Sequence, residues 1–182
     1  DADAPRFASE LFRHYRQPET VEPDAAFALL DTVLNLPMNR VSPEDQSLLA
    51  SFAVFWLSRG DLPQQAAALR LFRHLLPDLD AGSSAHQAVL EAVRANGCAE
   101  NTPLLFLQTQ LRQALSLDTS AQEILLNQPG AISNVFLDNL KTATPWVLKA
   151  VGVEYLLHQA EQGSRSNMLH IATHFSNLIK VS

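Results

Sequence analysis

Apolar residues along this chain recur at intervals of three and four. Phe27, Leu30 and Leu34 form one stripe, and Leu48, Leu49, Phe52, Phe55 and Trp56 form a broader one. Leu69, Phe72 and Leu76 follow, then Ala85, Val89, Ala92 and Val93. The cleanest stripe is the last: Met168, Ile171, Ala172, Phe175, Leu178 and Ile179. All are helical periods, and no useful stretch alternates with the period of two that a strand requires. The pattern predicts helices over 4–16, 24–36, 43–59, 63–76, 84–96, 103–117, 119–127, 131–142, 145–162 and 165–180.

Glycine and proline set the boundaries. Gly60, Gly82, Gly97, Gly130 and Gly163 fall where helical patterns end, and glycine stops helices readily because it enters the left-handed region without a Cβ clash. Ser42-Pro43-Glu44-Asp45 supplies a cap oxygen, a proline whose missing N–H costs nothing at a helix start, and two acids against the positive helix end. Thr102-Pro103 and Thr144-Pro145 repeat the pairing of cap and proline, and Ser120-Ala121-Gln122-Glu123 reads as a capping box.

Helix starts near 4, 43 and 84 are about 40 residues apart, a spacing in the range of HEAT and armadillo-like arrays and somewhat above that of a tetratricopeptide repeat. No repeat consensus accompanies the rhythm. The expected fold is all-α, with stacked antiparallel helical hairpins forming a tetratricopeptide- or HEAT-like α-solenoid; a compact irregular helical bundle is the alternative. The helix at 103–117 places Leu104, Leu107, Leu111 and Leu115 on one face and Phe106 and Leu117 nearly opposite, so neighbours should cover both sides. The helix at 145–162 is apolar around most of its circumference and should be the most buried. Gly152 inside it costs helix stability, which a close crossing by another helix would justify.

Composition narrows the function classes. The chain has 182 residues, 47% hydrophobic and 18% charged, which suits one globular domain over 1–182 and argues against disorder. It opens on Asp1, which reads as a fragment of a longer protein. The apolar runs stop short of the roughly 18–20 residues of a membrane span, and a cytoplasmic setting is the expectation. A net charge of −6 opposes nucleic-acid binding: Arg6, Arg13 and Arg16 gather early, but Glu10, Glu19 and Glu22 lie among them. Cys98 stands alone, so neither an internal disulfide nor a cysteine metal cluster can form.

Candidate chemistry is sparse. His170 and His174 have the i, i+4 spacing that sets two imidazoles beside one metal, yet the zinc-protease glutamate is missing between them. On the helical wheel His170 lies opposite the apolar stripe and His174 on its shoulder, so both read as polar surface positions and no cofactor is expected. Cys98 lacks any neighbouring base with nucleophile spacing. Arg59-Gly60-Asp61 spells an adhesion tripeptide, but a helix end followed by a cap explains it. No glycine-rich phosphate loop occurs.

The leading expectation is a protein–protein interaction scaffold or adaptor, binding another protein or peptide on a helical-repeat surface. Phe7, Leu11, Phe12 and Tyr15 on the first helix, with Gln108 and Arg112 on a glutamine-rich one, are the candidate partner-binding residues. One alternative is a helical enzyme or metal-dependent domain using His170 and His174, joined by His158. Another is a chaperone or regulatory partner of a secretion or signalling complex.

Overall fold

The computed structural model describes residues 23–35, 41–97, 99–163 and 165–181. These are all-helical, with no strand among them. The elements are α1 (Pro23–Leu34), α2 (Pro43–Arg59), α3 (Leu62–Leu75), α4 (Ser84–Ala95), α5 (Thr102–Ala114), α6 (Ser120–Leu126), α7 (Ala131–Asp138), α8 (Trp146–Gln162) and α9 (Arg165–Val181), with a 3-10 turn at Leu76–Asp78 after α3. The helix predicted over 4–16, with Phe7, Leu11, Phe12 and Tyr15, lies outside the described residues, as does Cys98.

Several starts follow the cap chemistry read from the sequence. Ser42 Oγ accepts from the Asp45 amide at 3.2 Å, and Asp61 and Gln64 exchange a reciprocal capping box. Other caps differ by one residue. Asn101, not Thr102, caps α5, and Pro145 stands at the α8 cap position with no side-chain bond. The box expected at Ser120 does not form: Thr119 is the cap residue, and Asp118 Oδ1 accepts from the Ser120 amide and hydroxyl. Glycine behaves less uniformly than expected. Gly60 closes α2 in extended backbone at φ −80°, where an added Cβ would strike the Trp56 carbonyl, so steric room rather than handedness selects it.

The core is built in layers. α1, α3 and α5 form one row and α2 and α4 a second, while α2–α3 and α4–α5 contacts join the rows. Trp56, Phe52 and Phe72 are almost fully buried between them, each worth about 1.5–3 kcal/mol in transfer free energy. Phe27 of α1 meets Trp56 edge-to-face at 5.3 Å. The most buried helix is α3, not the one at 145–162. Its Ala66, Ala67 and Ala68 admit neighbours closely, and Leu69, Leu71, Phe72 and Leu75 are fully enclosed.

α8 then departs from the alternating order. It packs against both α3 and α5 and also contacts α7 and α9. An Arg73–Glu154 ion pair spans α3 and α8. In a strict solenoid each unit touches only its neighbours; the α3–α8 contact reaches across four intervening helices. Val147, Leu148 and Val151 of α8 belong to the main core. Tyr155 and Leu156 join Val135, Phe136 and Ile171 in a smaller one, against which Phe106 packs from α5.

Gly152 is explained by a residue at a helix end rather than by a crossing helix. A Cβ there would lie 2.7 Å from the Asn139 Cβ. Asn139 ends α7 and is wholly buried. Its amide donates to the Leu148 carbonyl at 3.0 Å, and it trades hydrogen bonds with the Asn101 amide at 3.1 and 3.2 Å. Asn101 is itself the cap of α5, so one amide pair locks α5, α7 and α8 together. This lock stops α7 at Asp138, four residues before the predicted end.

Candidate functional site

The partner-binding residues expected on α5 are occupied internally. Gln108 is 3% exposed, so it is enclosed rather than lining an open groove. Its buried Oε1 has no hydrogen-bond partner, which carries a desolvation cost of about 1–3 kcal/mol. Arg112 sends Nε to the Asp118 carbonyl at 2.9 Å and an Nη to the Val93 carbonyl at 3.2 Å. Its guanidinium thus ties the last turn of α4 and the loop after α5 to α5 itself. Gln122 reaches the same region, donating to the Gly97 carbonyl at 2.6 Å. The Arg59-Gly60-Asp61 tripeptide is likewise structural: Arg59 lies 5.7 Å over the Phe55 ring, and Asp61 caps α3.

A tighter cluster forms between α7 and α9. The Nε2 atoms of His170 and His174 lie 3.1 Å apart, one turn of helix bringing the two rings onto the same side. Ser133 of α7 completes a triangle, its Oγ 3.1 Å from His170 Nε2 and 3.2 Å from His174 Nε2. Phe136, three residues on from Ser133, stacks on the His174 ring at 4.8 Å with planes 19° apart, and Phe175 meets Phe136 edge-to-face at 5.1 Å. His170 is exposed, while Ser133 and His174 are half-buried. His158 and Glu154 stay away from this cluster: His158 packs on Phe106 at 4.7 Å, and Glu154 pairs with Arg73. Among the described residues no group of three His, Cys, Asp or Glu converges.

Sequence spacing marked the two histidines but not Ser133, which arrives through the α7–α9 contact. Beside the triangle opens a cleft of about 330 Å³, lined by the α6–α7 turn from Leu126 to Ile132, with Tyr155, Gln159, Asn167 and His170 on the far wall. Burial raises the Tyr155 phenol above its usual 10.0. A serine beside an imidazole resembles a nucleophile and base, but among the described residues no carboxylate orients either ring, the third member that acyl-transfer sites use.

The second feature is an uncovered apolar surface. Among the described residues, nine of the ten exposed large hydrophobic side chains lie beyond position 120. On α8, Trp146, Val153 and Leu157 are 49%, 41% and 59% exposed. At about 100° per residue they fall on one line, opposite the buried face. Among the described side chains of the α9 stripe expected to be core, only Ile171 lies in the interior. Met168 and Phe175 are 53% and 40% exposed, with Leu169 beside them at 59%. No helix among the described residues is long and apolar enough to cross a membrane. Comparison with protein-family models, curated proteins and solved structures finds no match to this chain.

Proposed function

We propose that this chain is a protein–protein interaction domain of the scaffold or adaptor kind, which holds an acidic amphipathic helix of a second protein against α8 and α9. The carrying observation is the exposed stripe Trp146, Val153 and Leu157 on α8 together with the exposed Met168, Leu169 and Phe175 on α9. Exposed large apolar side chains concentrated on two neighbouring helices mark association sites, and residues spaced one and two turns apart on α8 suit a helix laid along a helical surface. Charge argues for the sign of the partner. In a chain of net charge −6, α9 carries Arg165 and Lys180 and no Asp or Glu. A partner with acids flanking its apolar face meets attraction there and repulsion elsewhere. The alternating rows of α1–α5 support reading that half as stacked hairpins of tetratricopeptide or HEAT character, with α8 and α9 as the binding end.

The test places a photocrosslinking residue at Leu157 or Met168 and, as a control, at Leu62, exposed in the other half of the molecule. The expected result is one shared adduct from the first two positions and none from Leu62. Its crosslinked peptide should be acidic, with apolar residues at three-and-four spacing, and a synthetic copy should bind the purified chain. Leu157→Lys and Leu169→Glu should each weaken that binding at least tenfold. Adducts formed only with lipid or with a second copy of the chain, or a peptide that ignores both substitutions, would overturn the proposal.

A further inference from the structure

We infer that Ser133, His170 and His174 form a binding site for a single divalent transition-metal ion of the zinc, copper or nickel class. Three potential ligand atoms stand within 3.1–3.2 Å of one another. Two-centre hydrogen bonds cannot satisfy that triangle. Each ring nitrogen carries either a proton or a lone pair, never both. Three simultaneous bonds require three protons, hence a proton on both Nε2 atoms, and then the contact between the two rings has no acceptor. At most two of the three contacts are hydrogen bonds at once. A cation removes the conflict, because each of the three atoms can then donate a lone pair to it.

The dimensions suit such an ion. Zinc–imidazole bonds are about 2.0–2.1 Å, and two such bonds at a tetrahedral angle set their nitrogens roughly 3.3 Å apart. The observed 3.1 Å is close to that separation. An ion at bonding distance from all three atoms sits about 1 Å above their plane, with its remaining coordination positions facing outward. The exposed His170 provides the entry path. Imidazole suits zinc, copper and nickel, whereas magnesium and calcium prefer carboxylate-rich oxygen sites, and among the described residues no carboxylate joins this triangle. Phe136 stacked on His174 fixes one ring before the ion arrives, which lowers the ordering cost of binding. With two imidazoles and one hydroxyl, the site is expected to be weaker than a closed structural zinc centre. The remaining positions are open to water or to a donor from the adjoining cleft.

The experiment uses the full chain without an affinity tag, in a Cys98→Ser background so that the thiol does not compete. Zinc and nickel are titrated against a chromophoric chelator, and thermal unfolding is followed in parallel. One ion per chain and a rise in Tm at saturating metal are expected. His170→Gln and His174→Gln should each weaken binding at least tenfold, Ser133→Ala several-fold, and His158→Gln not at all. Copper bound to the same protein should show two imidazole nitrogens by electron paramagnetic resonance. Circular dichroism of the metal-free variants separates lost ligands from lost fold. Absence of one-to-one binding, or binding that survives both histidine substitutions in correctly folded protein, would overturn the site.

Discussion

Replacing Gly152 with alanine sets two physical effects of opposite sign against each other. Propensity alone favours the change: alanine stabilises a helix interior over glycine by about 1 kcal/mol. Packing opposes it. The new Cβ would fall 2.7 Å from the Asn139 Cβ and 3.5 Å from both Asn139 Cγ and Leu140 Cδ2. Carbon atoms rest at about 3.5–4.0 Å, so α7 and α8 must separate by roughly 1 Å at this point. Asn139 has no room to withdraw, because it is fully buried and anchored to Asn101 and the Leu148 carbonyl. Overpacking costs about 1–3 kcal/mol, and each buried hydrogen bond stretched out of range adds about 1 kcal/mol. The balance is a net loss of about 1–3 kcal/mol, and Tm should fall by about 2–4 °C for each kcal/mol in a chain of this size.

Urea unfolding followed by circular dichroism measures the change directly. A second arm locates its cause. Asn139→Gly removes the obstructing Cβ, so in that background Gly152→Ala should recover its propensity gain and stabilise by up to about 1 kcal/mol. Asn139→Gly is itself costly through its lost hydrogen bonds, but only the comparison within the background matters. A Gly152→Ala protein as stable as the parent, or an alanine penalty that persists in the Asn139→Gly background, would refute the reasoning.

Two further outcomes follow from local chemistry. Ser116 sits in the left-handed region at φ 58° and closes α5 with the paired bonds of a Schellman turn, Ser116 N–H to the Gln113 carbonyl and Leu117 N–H to the Arg112 carbonyl. Ser116→Gly should therefore stabilise by about 0.5–1 kcal/mol, read as a higher urea midpoint with unchanged slope. Tyr155 supplies a pH dependence: its phenol is raised above 10.0 by burial, so the folded state favours the protonated form. Its contribution is complete below pH 10.0 and is lost as pH rises from there through the raised value. Tyr155→Phe should flatten the fall in stability across that alkaline window, and an unchanged slope by chemical denaturation would count against the assignment.

What was legible in the sequence was whatever depends on near neighbours. α2 spans Pro43–Arg59, as the Ser42 cap and the stripe through Trp56 predict, because cap, proline and apolar period all act within a turn or two. The end of α5 was missed because a serine took the left-handed position where glycine is usual. The end of α7 was missed for another reason: Asn139 is an ordinary surface-type residue until Asn101 and Leu148 arrive from other helices to bond it. Ser133 has the same status. No neighbour in sequence marks it as part of a site, and only the α7–α9 contact places its hydroxyl between two imidazoles. Gln108 fails in the opposite direction, since glutamine on a helix reads as a surface residue yet here is enclosed.

The α9 stripe makes the same point about partners. A helical period identifies the face that gains by leaving water, but it is silent on what receives that face. Met168, Ile171 and Phe175 have equal claims to be core by spacing, yet of the three only Ile171 is buried by this chain. Completing the burial of Trp146, Val153, Leu157, Met168, Leu169 and Phe175, each already about half covered, would contribute roughly 1 kcal/mol apiece. A total of roughly 6 kcal/mol reaches only the lower part of the about 4–15 kcal/mol that association costs in lost freedom. Apolar contact alone therefore gives a weak, reversible complex, and any tighter one must draw on the net positive charge of α9. A salt titration separates the two contributions. Binding of the acidic partner helix should weaken as salt rises from about 0.05 to 0.5 M, and salt-independent affinity would mean that the charge on α9 plays no part in choosing the partner.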